Sequence, residues 1–110
     1  MVEPKLTRTE LMREALQSIE DEDARETCFE LVDKLLSNII SNPADEKYRV
    51  VKQANKKLTE DLTRHQSGVV LIGLVGFVEE RRDSELVWAN RGSVSYLKGV
   101  RLDLAVSKQS

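Results

Sequence analysis

The sequence predicts an α+β fold, a mostly helical bundle with a small antiparallel β-sheet on one side, and three observations predict it. Apolar residues recur at three- and four-residue steps through the first 40 positions and again near the end of the chain. Short β-branched or aromatic pieces, Val50-Val51, Phe77-Val78 and Glu85 to Trp88, stand between polar turn residues, as strands do. A chain of 110 residues, 40% hydrophobic and 33% charged, has the size of one domain with one modest core.

The elements follow in order. Thr7 and Glu10 have capping-box spacing, and Leu11, Ala15, Leu16 and Ile19 then repeat helically, which predicts a helix over about 8–20. The acidic run Glu20 to Asp23 ends it, and Asp23 with Glu26 reads as the start of a second helix. In that helix Cys28, Leu31, Val32, Leu35, Leu36, Ile39 and Ile40 form a stripe that only a second layer can cover. Asn42-Pro43 stops it, with Asn42 able to cap a short helical turn before Lys47. A strand over 48–52 and a helix over about 54–63 follow. Residues 63–68 read as a loop, with Ser67 capping the helix that carries Val69, Leu71, Ile72 and Val75 and ends at Gly76. Phe77-Val78 and Glu85 to Trp88 then make a hairpin around a longish polar loop, and Asn90-Arg91-Gly92 turns the chain. For the last segment Val94, Leu97, Val100 and Leu104 fit a helix capped by Ser93, while Val100, Leu102, Leu104 and Val106 also alternate as in a strand. Helix is the preferred assignment. By this division 1–24 is an N-terminal extension, 25–106 the main domain and 107–110 a disordered tail; residues 1–6 are expected to be disordered as well.

Charge is unevenly distributed. Residues 1–46 hold 12 acids and 5 bases, and residues 47–110 hold 12 bases and 7 acids, so a net charge of −2 conceals halves of −7 and +5. Between Lys47 and Lys57 five cations, Lys47, Arg49, Lys52, Lys56 and Lys57, occur without an acid, a field that favours an anionic ligand. Nucleic acid is an alternative partner for Lys47 to Lys57, although Tyr48 is the one stacking aromatic there. A helical dimerisation module over residues 8–40 is another.

Catalytic and metal chemistry find little support. Cys28 lies on the apolar stripe, where a thiol packs as a small hydrophobe, and His65 stands in a polar segment. With one cysteine and one histidine no zinc set can be assembled, and the glycines lack phosphate-loop spacing. The expectation is a protein with no catalytic residues, no cofactor and no metal. The longest apolar run, residues 68–78, is too short to cross a bilayer, so a soluble monomer of the reducing cytoplasm or nucleus is expected.

One stretch is more specific: Asn38-Ile39-Ile40-Ser41-Asn42-Pro43-Ala44-Asp45-Glu46-Lys47-Tyr48-Arg49, followed by Lys52 and Asn55, and later Leu74-Val75-Gly76-Phe77. The order of Asn-Ile, Asn-Pro, Lys-Tyr-Arg, a basic residue and Asn resembles the PUB (or PUG) domain, found in cytosolic peptide:N-glycanase and in proteins with UBA or UBX domains. The resemblance spans about Phe29 to Leu104 and leaves residues 1–24 outside; Lys52 stands where arginine is also common. It implies an adaptor module of ubiquitin-linked protein quality control and ER-associated degradation. Its partner would be the acidic, tyrosine-containing C-terminal tail of a valosin-containing-protein-type AAA ATPase. Carried over by position, Asn38 and Asn55 would hydrogen-bond the tail, Pro43 and the stem of Lys47 would wall an aromatic pocket, and Tyr48 and Lys52 would border it. Gly76 and Phe77 would meet a leucine of the tail. Plainer roles stand beside these: capping for Asn38 and Asn55, and core packing for Tyr48, Phe77 and Trp88. Arg49 is expected to be structural.

Overall fold

The computed structural model describes residues 6–109. Helix α1 (Arg8–Gln17) opens with the capping box, Thr7 Oγ1 accepting from the Glu10 amide at 3.2 Å while Glu10 accepts from the Thr7 amide at 3.1 Å. It ends three residues before the expected limit. Ser18 turns back onto the Glu14 carbonyl, and the Arg25 guanidinium takes the carbonyls of Leu16 and Ile19, so a side chain from the next helix satisfies the orphan groups. Helix α2 (Glu22–Ser41) is capped by Asp21 rather than Asp23, because Asp21 Oδ1 reaches the amides of both Asp23 and Ala24.

The chain between α2 and the sheet departs most from expectation. Asn42 closes α2, its backbone and side-chain amides both donating to the Asn38 carbonyl, and Asp45 instead caps the short helix α3 (Glu46–Arg49). Tyr48 is therefore helical, and strand β1 is only Val50–Lys52. Helix α4 (Lys56–Leu58) begins at the Asn55 cap and runs into a π-helical turn, Thr59–Thr63. Helix α5 (Gln66–Leu74) starts one residue after His65, whose carbonyl accepts from Gly68 and Val69; Ser67 lies inside the helix and caps nothing.

Strands β2 (Val78–Arg82) and β3 (Glu85–Ala89) form a hairpin whose turn is only Asp83-Ser84, with Asp83 at φ 55°, a conformation Asp tolerates. The polar run expected to be loop is itself strand, because β2 is an outer strand with both faces largely open to water. The sheet is antiparallel in the order β1-β3-β2. In register, Val51 faces Trp88 and both pack toward the helical core, while Lys52, Val87 and Glu80 form a row on the other face.

Helix α6 (Val94–Lys108) settles the ambiguous final segment as helix. Ser93 caps it through the Tyr96 amide, and of the alternating residues Val100 and Leu104 are buried while Leu102 and Val106 face solvent. Ser107 and Lys108 belong to this helix rather than to a disordered tail, Ser107 buried and Lys108 paired with Glu26. The first five residues and Ser110 lie outside the described part. Met12, Ala15, Leu16 and Ile19 join the core formed by Val32, Leu36 and Ile39 of α2, and α1 packs on α5 and α6. The N-terminal helix thus shares the hydrophobic core of the remainder.

Cys28 sits in that core. Its Sγ donates to the Asp61 carbonyl at 3.1 Å, and burial, aided by nearby Asp61, pushes its thiol pKa up, opposite to what a nucleophile needs.

Gly68 fixes how α5 crosses the π-helical turn, since a Cβ there would lie 2.0 Å from the Leu62 carbonyl oxygen. Gly68→Ala is expected to lower the unfolding free energy by about 3 kcal/mol in urea titration, the upper range for overpacking. Gly73, where an added Cβ meets nothing within 4 Å, is the matched comparison. Gly73→Ala should raise stability by up to ~1 kcal/mol, the helix-propensity difference.

Candidate functional site

Of the residues singled out from the sequence, Pro43 is tied directly to Arg49, which joins it to the loop at Asn90 and Gly92. Arg49 Nε donates to the Pro43 carbonyl at 2.9 Å, and its Nη1 donates to the carbonyls of Asn90 at 3.1 Å and Gly92 at 2.9 Å. In return the Arg49 carbonyl accepts from the Asn90 amide at 2.8 Å. Asn90 is wholly buried, and its Nδ2 donates to the Val75 carbonyl while its Oδ1 accepts from the Gly92 amide. Gly76, at φ +106°, lies against this amide, where a Cβ would approach Asn90 Nδ2 to 3.2 Å. Three chain crossings, at Pro43, Gly76 and Asn90 to Gly92, are tied by two side chains.

This knot holds the α2 to β1 connection. Asn38 lies half-buried in the last turn of α2, and Pro43 lies exposed where the chain leaves it. On α3, Lys47 Nζ sits 5.1 Å from the centre of the Tyr48 ring, a cation–π arrangement, with Lys47 exposed and Tyr48 half-buried against the core. Lys52 and Asn55 continue the same edge. Asn55 Oδ1 accepts from the Leu58 amide, so its oxygen is engaged in capping and its NH2 group retains donors. Gly76 lies two residues before Val78, which shares a row with Ala89 and Val50 and is itself about two strand spacings, roughly 10 Å, from β1.

Phe77 requires a correction. It is 2% exposed and part of the hydrophobic core, so its ring supports the hairpin from beneath and offers no surface to a ligand. Tyr48 lies on helix α3 rather than in the strand expected over 48–52, so it shares no strand face with Lys52. Arg49 is structural, as expected, through its three carbonyl partners. Trp88 packs against the core.

The cationic stretch is less free than its sequence implied. Lys52 lies 3.5 Å from Glu85, Lys56 4.0 Å from Glu60 and Lys57 3.0 Å from Asp61, while Arg49 is spent on carbonyls. Among the described residues Lys47 has no carboxylate within 4.0 Å, which makes it the most available cation of the five. Sequence reasoning also passed over Glu46. Its carboxylate reaches Arg82 at 2.8 Å and Arg91 at 3.6 Å, and both arginines also meet Glu80, at 3.7 and 3.0 Å. The hydrogen bond from Arg82 holds the Glu46 carboxyl below its usual pKa, and the bond to Glu80 raises that of Arg91. These partners are 36 residues apart in sequence for Glu46 and Arg82, so no local pattern signals them. Asn90 was legible only as a turn residue, because its burial depends on Arg49 and Val75.

A family model described as PUB domain matches residues 22–102. Among curated proteins, Plant UBX domain-containing protein 2 of Arabidopsis thaliana is 33% identical over 64 residues, covering 58% of this chain and 14% of that protein. UBX domain-containing protein 6 of Caenorhabditis elegans is 28% identical over 87 residues, 77% of this chain and 20% of that protein. The chain therefore corresponds to a fifth or less of these relatives' length.

Asn90→Ala leaves the Val75 carbonyl and the Gly92 amide without partners and should cost about 2–4 kcal/mol in chemical denaturation, since each buried orphan costs ~1–3 kcal/mol. For Glu46 the folded carboxyl binds its proton less readily than the unfolded one, so its pairing with Arg82 is complete above the ordinary value of 4.5. That pairing is lost as pH falls through the lowered folded value. The guanidinium N–H signals of Arg82 should shift in that acid window, and Glu46→Gln should abolish the change.

Proposed function

The chain belongs to the PUB domain family, and on that premise we propose that it captures the acidic, tyrosine-containing C-terminal tail of a valosin-containing-protein-type AAA ATPase. The observation that carries the proposal is the Lys47–Tyr48 shelf, an exposed cation over a half-buried aromatic ring, in the segment from Pro43 to Asn55 that carries the family resemblance and lies within the matched span. A tail tyrosine would lie against the apolar stems of Lys47 and Pro43 beside Tyr48. The free donors of Asn55 and the amide of Asn38 suit peptide carbonyls. Gly76, whose Cβ side is filled by Asn90, would meet a leucine of the tail through its open backbone face.

Electrostatics assigns Lys47 the leading role. Since Lys52, Lys56 and Lys57 each have a carboxylate nearby, the local field is milder than five cations imply, and it speeds encounter more than it deepens affinity. The aromatic anchor then supplies most of the binding energy, on the order of 2 kcal/mol or more. A short tail held in this way should bind at about micromolar strength, near −8 kcal/mol. In a longer protein of the kind the UBX-containing relatives represent, such a module links the ATPase to ubiquitin-dependent clients and performs no chemistry itself.

The test is calorimetric titration of the chain with a synthetic tail peptide and with its tyrosine-to-alanine form. Micromolar binding that disappears with the tyrosine is the expected result, and equal binding of both peptides would overturn the aromatic anchor. Lys47→Ala should weaken the native tail about fivefold or more, a typical loss for a well-placed contact residue. A tail phosphorylated on the tyrosine should bind more weakly, because the phosphate adds bulk and charge where the phenol would lie against the stems of Lys47 and Pro43. Affinity that falls steeply with salt and ignores the tyrosine would point to the anionic-ligand alternative.

A further inference from the structure

Resting on that reading, we infer that Arg82 and Arg91 form a second subsite for carboxylates of the tail, occupied in the free protein by the chain's own Glu46. Glu46 precedes Lys47 on α3, yet its carboxylate leaves that helix and bridges the two hairpin-side arginines at 2.8 and 3.6 Å. All of these partners are exposed or partly exposed, Arg82 at 41%, Arg91 at 54% and Glu46 at 55%, so a ligand carboxylate can reach the arginines from solvent.

The subsite adjoins the proposed peptide shelf. Lys52, Glu80 and Arg82 share one face of the sheet by register, with Lys52 and Glu80 flanking the buried Val87. Arg91 stands between Asn90 and Gly92, the two residues whose carbonyls Arg49 holds, so the knot fixes Arg91 relative to Pro43 and α3.

The charge pattern also requires a competitor rather than an empty pair. Two arginines meet two carboxylates, Glu46 and Glu80, in a closed set. Glu80 is a strand residue whose backbone pairs with Val87, whereas Glu46 lies on a four-residue helix that Asp45 alone caps. Glu46 is the member that an incoming carboxylate can replace at least cost. Because the pairs are solvent-exposed, each exchange is nearly balanced in energy, as a selectivity device needs. A tail carrying acidic residues on both sides of its tyrosine would engage Lys47 and the arginine pair together, and a neutral tail would leave Glu46 in place.

The experiment compares tail affinity in the wild-type chain, in Glu46→Gln and in Asp83→Asn. The last removes one negative charge from the nearby hairpin turn and keeps a residue that tolerates its φ of 55°. Each variant is titrated with the acidic tail peptide and with a version in which the acids are amides and the tyrosine is kept. Glu46→Gln is expected to bind the acidic tail about fivefold more tightly than wild type, with Asp83→Asn within twofold and the gain absent for the amide peptide. In the Glu46→Gln background, Arg82→Gln and Arg91→Gln should each erase the gain, and the Arg82 and Arg91 Nε–H signals should shift on adding the acidic peptide alone. A Glu46→Gln gain no larger than that of Asp83→Asn, or one that survives both arginine changes, overturns the subsite while leaving tyrosine-dependent capture intact. Absence of tyrosine-dependent binding in every variant overturns the capture itself, and the subsite with it.

Discussion

The guanidinium of Arg49 is the constraint on which the arrangement of this molecule depends. The turn after α2 and the loop between β3 and α6 approach one another, and they leave three carbonyls at the junction, one at Pro43 and two at Asn90 and Gly92. One planar group with several fixed donors satisfies all three, which a lysine with its single nitrogen could not do in the same geometry. Asn90 completes the junction from the opposite side by serving Val75 and Gly92. Buried polar groups of this kind set the relative position of elements more sharply than apolar packing does, because a shift of an ångström breaks several bonds at once. The Lys47–Tyr48 shelf is thereby placed by bonds that involve neither residue's side chain.

A run of five cations suggests a strongly basic surface, yet the fold returns carboxylates to most of them. Lys56 and Lys57 meet acids one turn along, at the four-residue helical spacing, and Lys52 meets Glu85 across the sheet. What remains is a graded surface with one available lysine and a shared arginine pair. Under the proposed capture of an acidic tail, such a surface would discriminate among ligands better than an undifferentiated positive patch, because charges that must exchange partners respond to where the ligand carries its own.

The hydrophobic architecture explains why a helix outside the recognisable motif belongs to the body of the fold. Met12, Ala15 and Leu16 bury themselves against α5 and α6, and the Arg25 guanidinium of α2 closes the end of α1. Removing α1 would strip Met12, Ala15 and Leu16 from the shared core and uncover the parts of α5 and α6 it packs on. The close crossing at Gly68 and the π-helical turn before it are the local adjustments that let α5 fit between these layers.

Local chemistry in the sequence determined the helices. Thr7 with Glu10, the stripe from Cys28 to Ile40, and Ser93 before Val94 each act within a few residues, and the three helices they specify are present with nearly the expected limits. The α+β class and the PUB family were also legible, the latter because Asn-Pro and Lys-Tyr-Arg lie within one short segment. Tertiary structure decided the rest. Whether Tyr48 is strand or helix turned on Asp45 capping α3 and on Arg49 reaching Pro43; whether Glu79 to Arg82 is loop or strand turned on pairing with β3. Phe77 was drawn into the core by the hairpin above it, and Glu46 was drawn to arginines 36 and 45 residues away. The division has a physical cause: caps and helical stripes are interactions between near neighbours in the chain, whereas burial, strand pairing and ion pairing across the fold exist only once distant segments have met.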